Sequence, residues 1–290
     1  MNKWVAMVVL VLFSGVALAQ EDNRPGAKEY KAGQDAIKKR DMDTAITSFE
    51  AAVKANPKLF ASYYFLGFAY QSKKDFEKTA ASFQTFLDKI GDTEEAAEMI
   101  TNATRQGGLA YARAKQHDKA IELLSKANDA KPNDAEVLYF LATSEMLTGD
   151  NAAAERHFAK VNQLQPEFDR PFYFSGFVAY SNQDMAAAKP RLQKYLELKP
   201  DGEFAAESNY MLGLIAIQDG QKSVAKSHLQ KGLQLKPEAK QASQAHYILG
   251  SLAAQSEQLE TARVHFQKYL RLEPRGPQAE EIRKFLADLK

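Results

Sequence analysis

The sequence predicts an all-α solenoid of antiparallel helix pairs, and three observations predict it. The stretch Ser243 to Gly276 reads as two short amphipathic helices with a turn at Glu257-Gln258 and a stop at Pro274. Its marks are Leu249-Gly250, Ala253, Leu259, Ala262, Phe266, Tyr269 and Pro274, and they fit six earlier windows beginning at Gly26, Phe60, Thr101, Ala135, Asp169 and Ala206. Successive starts lie 34, 41, 34, 34, 37 and 37 residues apart, so a chain of 290 residues reads as one repeating array over 26–276 rather than two ordinary domains.

The marks have a physical logic. Gly33, Gly67, Gly108, Ala142, Gly176, Gly213 and Gly250 of the first helices are expected to face Ala45, Ala120, Ala154, Ala188, Ala225 and Ala262 of the second. Small residues let two helices approach closely, and Phe49, Phe83, Leu124, Phe158, Leu192, Leu229 and Phe266 then fill the seam to the next repeat. Pro57, Pro132, Pro166, Pro200, Pro237 and Pro274 stop the second helices, because proline cannot continue one. With these residues in place, the chain resembles the tetratricopeptide repeat family from about Gly26 to its C-terminus. The resemblance implies a right-handed superhelix of antiparallel helix pairs whose first helices line a concave groove.

Composition narrows the function. Lys plus Arg is 38 against 37 for Asp plus Glu, which favours neither nucleic acid nor an acidic membrane as a bulk partner. The chain has no cysteine, which removes disulfides, thiolate catalysis, thiolate metal sites and a lipidated N-terminal cysteine.

Taken in order, residues 1–19 read as a signal peptide. Lys3 is the positive n-region, Trp4 to Phe13 is apolar throughout, and Ala17-Leu18-Ala19 fits a small-x-small cleavage site. The rival reading is an uncleaved anchor, yet residues 4–19 fall short of the roughly 20 apolar residues that span a bilayer. No membrane insertion is expected after cleavage. Residues 20–25 form a short polar tail, and seven repeats follow. In the second, Thr79 replaces the usual small residue. Before the third, Asp92-Thr93-Glu94-Glu95 reads as a cap that lengthens its first helix, with a bend at Gly107-Gly108. Asp201-Gly202-Glu203 and Glu238-Ala239-Lys240 are expected to add a turn to the next helices, and Pro190 to kink its own. Residues 277–290 form a capping helix with Ile282, Phe285, Leu286 and Leu289 on one face and Glu280, Glu281, Lys284 and Asp288 on the other.

Catalysis is not indicated: no nucleophile, base or phosphate-cradling loop sits on suitable structure, and no cofactor is expected. His157, His228 and His265 recur at one repeat position, which spaces them along the array instead of gathering them on a metal, while His117 and His246 stand isolated.

The fifth position of the first helix is Tyr30, Tyr64, Arg105, Tyr139, Tyr173, Tyr210 and Tyr247, and the ninth adds Phe68, Leu109, Phe177 and Leu214. Under the resemblance these positions point into the groove. The candidate partner-binding residues are therefore Tyr64, Phe68, Arg105, Tyr139, Tyr173, Phe177, Tyr210 and Tyr247. Packing between neighbouring helices is the competing role for the tyrosines. Family members that hold a carboxylate do so with Lys, Asn and Arg, a set missing here, and Arg105, Arg113 and Arg170 are too scattered to replace it.

The resulting expectation is a non-catalytic scaffold or adaptor in the periplasm of a Gram-negative bacterium, holding an extended protein or peptide segment with apolar side chains. The runs Asp201-Gly202 and Arg275-Gly276-Pro277 look like those of envelope-assembly members of the family. Self-assembly into a homo-oligomer, or service as an accessory subunit of an envelope enzyme complex, are the alternatives. Intact-mass measurement on protein from the envelope fraction should find Gln20 as the first residue; a chain retaining Met1 would make the segment an anchor.

Overall fold

The computed structural model describes residues 24–91 and 96–289. The expected signal peptide, most of the 20–25 tail and the Asp92-Thr93-Glu94-Glu95 cap lie outside them. Among the described residues the regular elements are fifteen α-helices. They run α1 (Ala27–Lys38), α2 (Met42–Ala55), α3 (Phe60–Ser72), α4 (Phe76–Ile90), α5 (Ala97–Arg113), α6 (His117–Ala130), α7 (Ala135–Thr148) and α8 (Asn151–Leu164). There follow α9 (Asp169–Ser181), α10 (Met185–Leu198), α11 (Ala205–Gln218), α12 (Lys222–Leu235), α13 (Ala242–Gln255), α14 (Leu259–Leu272) and α15 (Ala279–Asp288). The chain divides into two compact units, Met1–Lys160 and Val161–Lys290, with the division inside α8.

One backbone turn joins every pair. Arg40, Lys74, Lys115, Gly149, Gln183, Gly220 and Glu257 each hold a left-handed φ between 59° and 94°. The next amide then reaches back five residues, as Asp41 N–H donates to Ala36 O at 2.9 Å and Gln221 N–H to Ala216 O at 2.8 Å. This is a Schellman ending, which satisfies a carbonyl the helix would otherwise leave open. The same amide-donating residue starts the second helix: Asp41, Asp75, Asp150 and Asp184 accept from the N–H three positions on at 3.0–3.1 Å. Gln116, Gln221 and Gln258 occupy that place without a side-chain cap bond.

The close approach within a pair differs from the expected one. A Cβ on Gly33, Gly67, Gly176, Gly213 or Gly250 would meet the large residue of its own second helix, not the alanine. For Gly213 the Leu229 Cδ2 would stand at 2.6 Å, and for Gly67 the Phe83 Cε1 at 2.7 Å. The alanines Ala45, Ala120, Ala154, Ala188, Ala225 and Ala262 are completely buried, so they too permit close packing. Phe49 serves its own glycine and the seam at once, stacking on Phe65 of α3 at 5.5 Å. Thr79 is accommodated because its Oγ1 donates to the Asp75 carbonyl at 2.7 Å, leaving no buried hydroxyl unpaired.

Helix α5 is lengthened as expected: it has 17 residues, begins at Ala97 ahead of Thr101 and stays helical through Gly107-Gly108. One local expectation changes. The triplets 201–203 and 238–240 do not lengthen α11 or α13, which stay at 14 residues; they form turns before them. Gly202 N–H donates to Lys199 O, and Phe204 N–H donates to the Tyr195 hydroxyl at 2.9 Å. Helix α10 continues through Pro190. At the C-terminus Ala279 and Ile282 of α15 are buried, Phe285 meets Phe266 edge-on at 5.1 Å, and Glu280, Glu281, Lys284 and Asp288 face solvent.

Because the Leu229 side chain occupies the space a Cβ would need, Gly213→Phe should cost at least about 1–3 kcal/mol, read as a lowered melting temperature. An unchanged melting temperature would overturn this packing.

Candidate functional site

The eight candidate residues do not share one environment. In the first unit, Tyr64 is 1% exposed and wedged between Phe83 and Phe86 at 5.9 and 5.3 Å. Phe68 is 8% exposed and meets Tyr64 at 4.9 Å and Phe83 at 5.0 Å, both edge-on. Tyr139 is buried against Phe140 and Phe158. A ring so enclosed offers a partner little area, so these three are core residues of their unit. Among the same group, Leu109 is completely buried as well.

Arg105 is already engaged. Its Nε donates to Asp134 at 2.8 Å and its Nη2 to Glu136 at 2.8 Å, while Arg113 Nη2 reaches the other Glu136 oxygen at 2.9 Å. Burial opposes ionisation of Asp134, but the Arg105 guanidinium and two backbone amides outweigh it and hold the carboxyl below its usual range. Arg113 also lies over the Phe140 ring at 4.6 Å. The two arginines that looked scattered are thus gathered, and by internal acids. Arg170, in the second unit, pairs with Glu203.

In the second unit Tyr173 and Tyr210 are buried as well, while Phe177 and Tyr247 are not. Tyr210 is 1% exposed; its ring covers Gly232, and its hydroxyl donates to the Lys236 carbonyl at 2.7 Å. Tyr173 is sandwiched against Phe204 at 4.1 Å, nearly parallel. Tyr247 is half-buried near Phe266 and Tyr269. Phe177 is the one exposed residue among the candidates, at 41%, with its ring 6.3 Å from Tyr173. It stands at the repeat position that Phe68 fills, and its repeat carries Leu192 where the repeat of Phe68 carries Phe83.

Around Phe177 lies a groove of about 720 Å³. Helix α9 supplies Tyr173, Phe177 and Tyr180, and α11 supplies Glu207, Met211 and Leu214. Gln183, Gln218, Gln241 and Gln244 lie around them. The sequence pattern marked Phe177, but not Met211 or the glutamines; their signal is only that they occupy first helices and turns facing the same space.

A second titratable cluster lies in the last pair. His246, expected to be isolated, is buried with its Nδ1 2.9 Å from that of His265. The equivalent pair in the preceding repeat is His228 with Asn209, also 2.9 Å. Burial, the neighbouring imidazole, Lys268 and Arg271 push His246 down to about 4, and burial, Lys268 and Lys226 lower His265. Two neutral rings therefore share one proton contact. Among the described residues no three His, Asp or Glu side chains converge as a metal-ligand set.

Comparison with known proteins agrees with this architecture. Two profiles described as tetratricopeptide repeat match, one over residues 111–175 and the other over 30–91 and 210–280, together more than half of the chain. Tetratricopeptide repeat protein 37 of Xenopus laevis is 25% identical over 197 residues, 57% of this chain, and the chain spans 12% of that relative's length. Among solved structures, MamA RS-1 ArsTM double mutant is 26% identical with a TM-score of 0.51, covering 60% of this chain and 94% of its own. MamA AMB-1 P212121 is 21% identical with a TM-score of 0.54, covering 62% and 94%, a likeness of fold.

The histidine pair sets a pH dependence. Both folded-state values lie below the ordinary 6.5, so their contribution is complete above pH 6.5 and is lost as the pH falls from there toward 4. The melting temperature should drop between pH 7 and 5, and less steeply in His246→Asn, which recreates the Asn209–His228 pairing. Parallel slopes in the two proteins would overturn this assignment.

Proposed function

We propose, from the premise that this chain belongs to the tetratricopeptide repeat family, that it is a non-catalytic scaffold of the bacterial cell envelope. The groove of the Val161–Lys290 unit is the seat of an extended partner segment. The observation that carries this reading is the open Phe177 ring inside a groove walled by the first helices of successive pairs. An exposed phenylalanine surrounded by Met211, Leu214 and glutamines combines apolar contact area with hydrogen-bonding side chains, the mixture a binding face uses. Neighbouring rings are already immobilised by packing, so a partner loses little by ordering the site. Among the described residues no helix is long and apolar enough to cross a membrane. The envelope location rests on the positive, apolar and small-x-small sequence of residues 1–19.

The row of tyrosines is not the contact surface in this reading. Tyr64, Tyr139, Tyr173 and Tyr210 are buried and shape the units, and Phe177 supplies the open ring of the groove.

Photo-crosslinking separates the faces. A benzophenone side chain at position 177 should form an adduct in envelope extract, one placed at exposed Val264 of α14 should not, and Phe177→Ala should weaken the interaction about tenfold or more. Adducts from position 264 alone would move the site to the other face. Adducts with the chain itself would favour self-assembly.

A further inference from the structure

The lining of the groove bears on the charge of its occupant. Among the described residues that line it, Glu207 carries the only formal charge; neither Lys, Arg nor His contributes. Glu207 Oε1 accepts from Lys236 Nζ at 2.7 Å, and Lys236 also donates to the Glu203 carbonyl at 3.0 Å. Glu207 Oε2 is buried and has no hydrogen-bond partner. Leaving an ionised oxygen unpaired is costly, and an unused acceptor beside an open groove marks where a donor is missing. The Glu207 side chain as a whole is about a quarter exposed, at 24%, and it lines the groove.

The aromatic wall has the same preference. Tyr173, Phe177 and Tyr180 line the groove, with Tyr173 and Phe177 inclined at 28° to each other. Ring faces carry partial negative charge and attract ammonium or guanidinium groups, more strongly where water is displaced. Burial and then Glu207 push the Tyr210 hydroxyl up to about 12; burial, then Glu207, Tyr195 and Glu203, do the same at Tyr173. Burial, the larger cause, opposes charge of either sign; the part due to Glu207 is specific to negative charge.

We infer that the partner segment inserts a lysine or arginine side chain into this groove, its stem along Phe177 and Met211 and its cationic head between the rings and Glu207. This rests on the groove being the partner's seat. An acidic segment would face Glu207 and the ring faces, with Lys236 already engaged. A wholly apolar segment would cover the carboxylate and leave its second oxygen without a donor. A cation answers both objections.

The test selects displayed random 12-residue peptides on the full chain and discards those that still bind Phe177→Ala. Calorimetry then measures the best peptide and its lysine-to-norleucine analogue against the wild type and Glu207→Gln. Peptides should carry Lys or Arg beside apolar residues, and norleucine should weaken binding about tenfold on the unaltered protein. Glu207→Gln should weaken the lysine peptide similarly, with little further loss when both changes are combined. Phe177-dependent peptides without a cation, or equal binding of the norleucine analogue, would overturn the inference and leave the groove standing. Failure to find any Phe177-dependent peptide would remove the groove reading and this inference together.

Discussion

A missing side chain beneath a large one is the contact on which each unit depends. Gly33 under Phe49, Gly67 under Phe83, Gly176 under Leu192, Gly213 under Leu229 and Gly250 under Phe266 bring the two helices of a pair to one spacing. Close-packed interiors tolerate little change in volume, so that spacing constrains the next contact as well. Phe49 stacking on Phe65 shows the same ring that covers a glycine also gripping the following pair. The left-handed residue and five-back hydrogen bond complete the constraint, because they aim the second helix back along the first.

Tyrosine has an architectural role that its aromatic face conceals. The Tyr210 hydroxyl holds the Lys236 carbonyl, Tyr195 receives the Phe204 amide, and Tyr269 donates to Gln278 Oε1 at 2.7 Å. In the second unit these hydroxyls fasten the turns between pairs while the rings fill the core. The three-residue excesses there become turns because a hydroxyl and a compact backbone arc satisfy their polar groups, leaving nothing for an added helical turn to gain. Near Gly202 that arrangement is tight: a Cβ there would stand 2.6 Å from the Tyr195 hydroxyl.

The contrast between Phe68 and Phe177 explains how one repeat position serves two purposes. Phe83 meets Phe68 edge-on at 5.0 Å; the corresponding position in the repeat of Phe177 is Leu192, which has no ring to offer. The exposed ring coincides with Glu207 and the glutamines, so apolar area, an unsatisfied acceptor and polar side chains meet in a single groove. In the first unit, by contrast, Asp134 and Glu136 satisfy Arg105 and Arg113.

The sequence by itself determined that the chain is all-α and built of tetratricopeptide pairs, because small, large and proline marks recur with the period that helix pairing needs. It also placed Phe177, with Phe68, at the ninth position of a first helix among the candidate contact residues. Which aromatics are open and which are core was decided only by tertiary structure, since exposure depends on the side chain packed alongside and not on position in the repeat. The same reason hid the His246–His265 pair, whose members lie on different helices, and the unpartnered oxygen of Glu207, which exists only once Lys236 has taken the other.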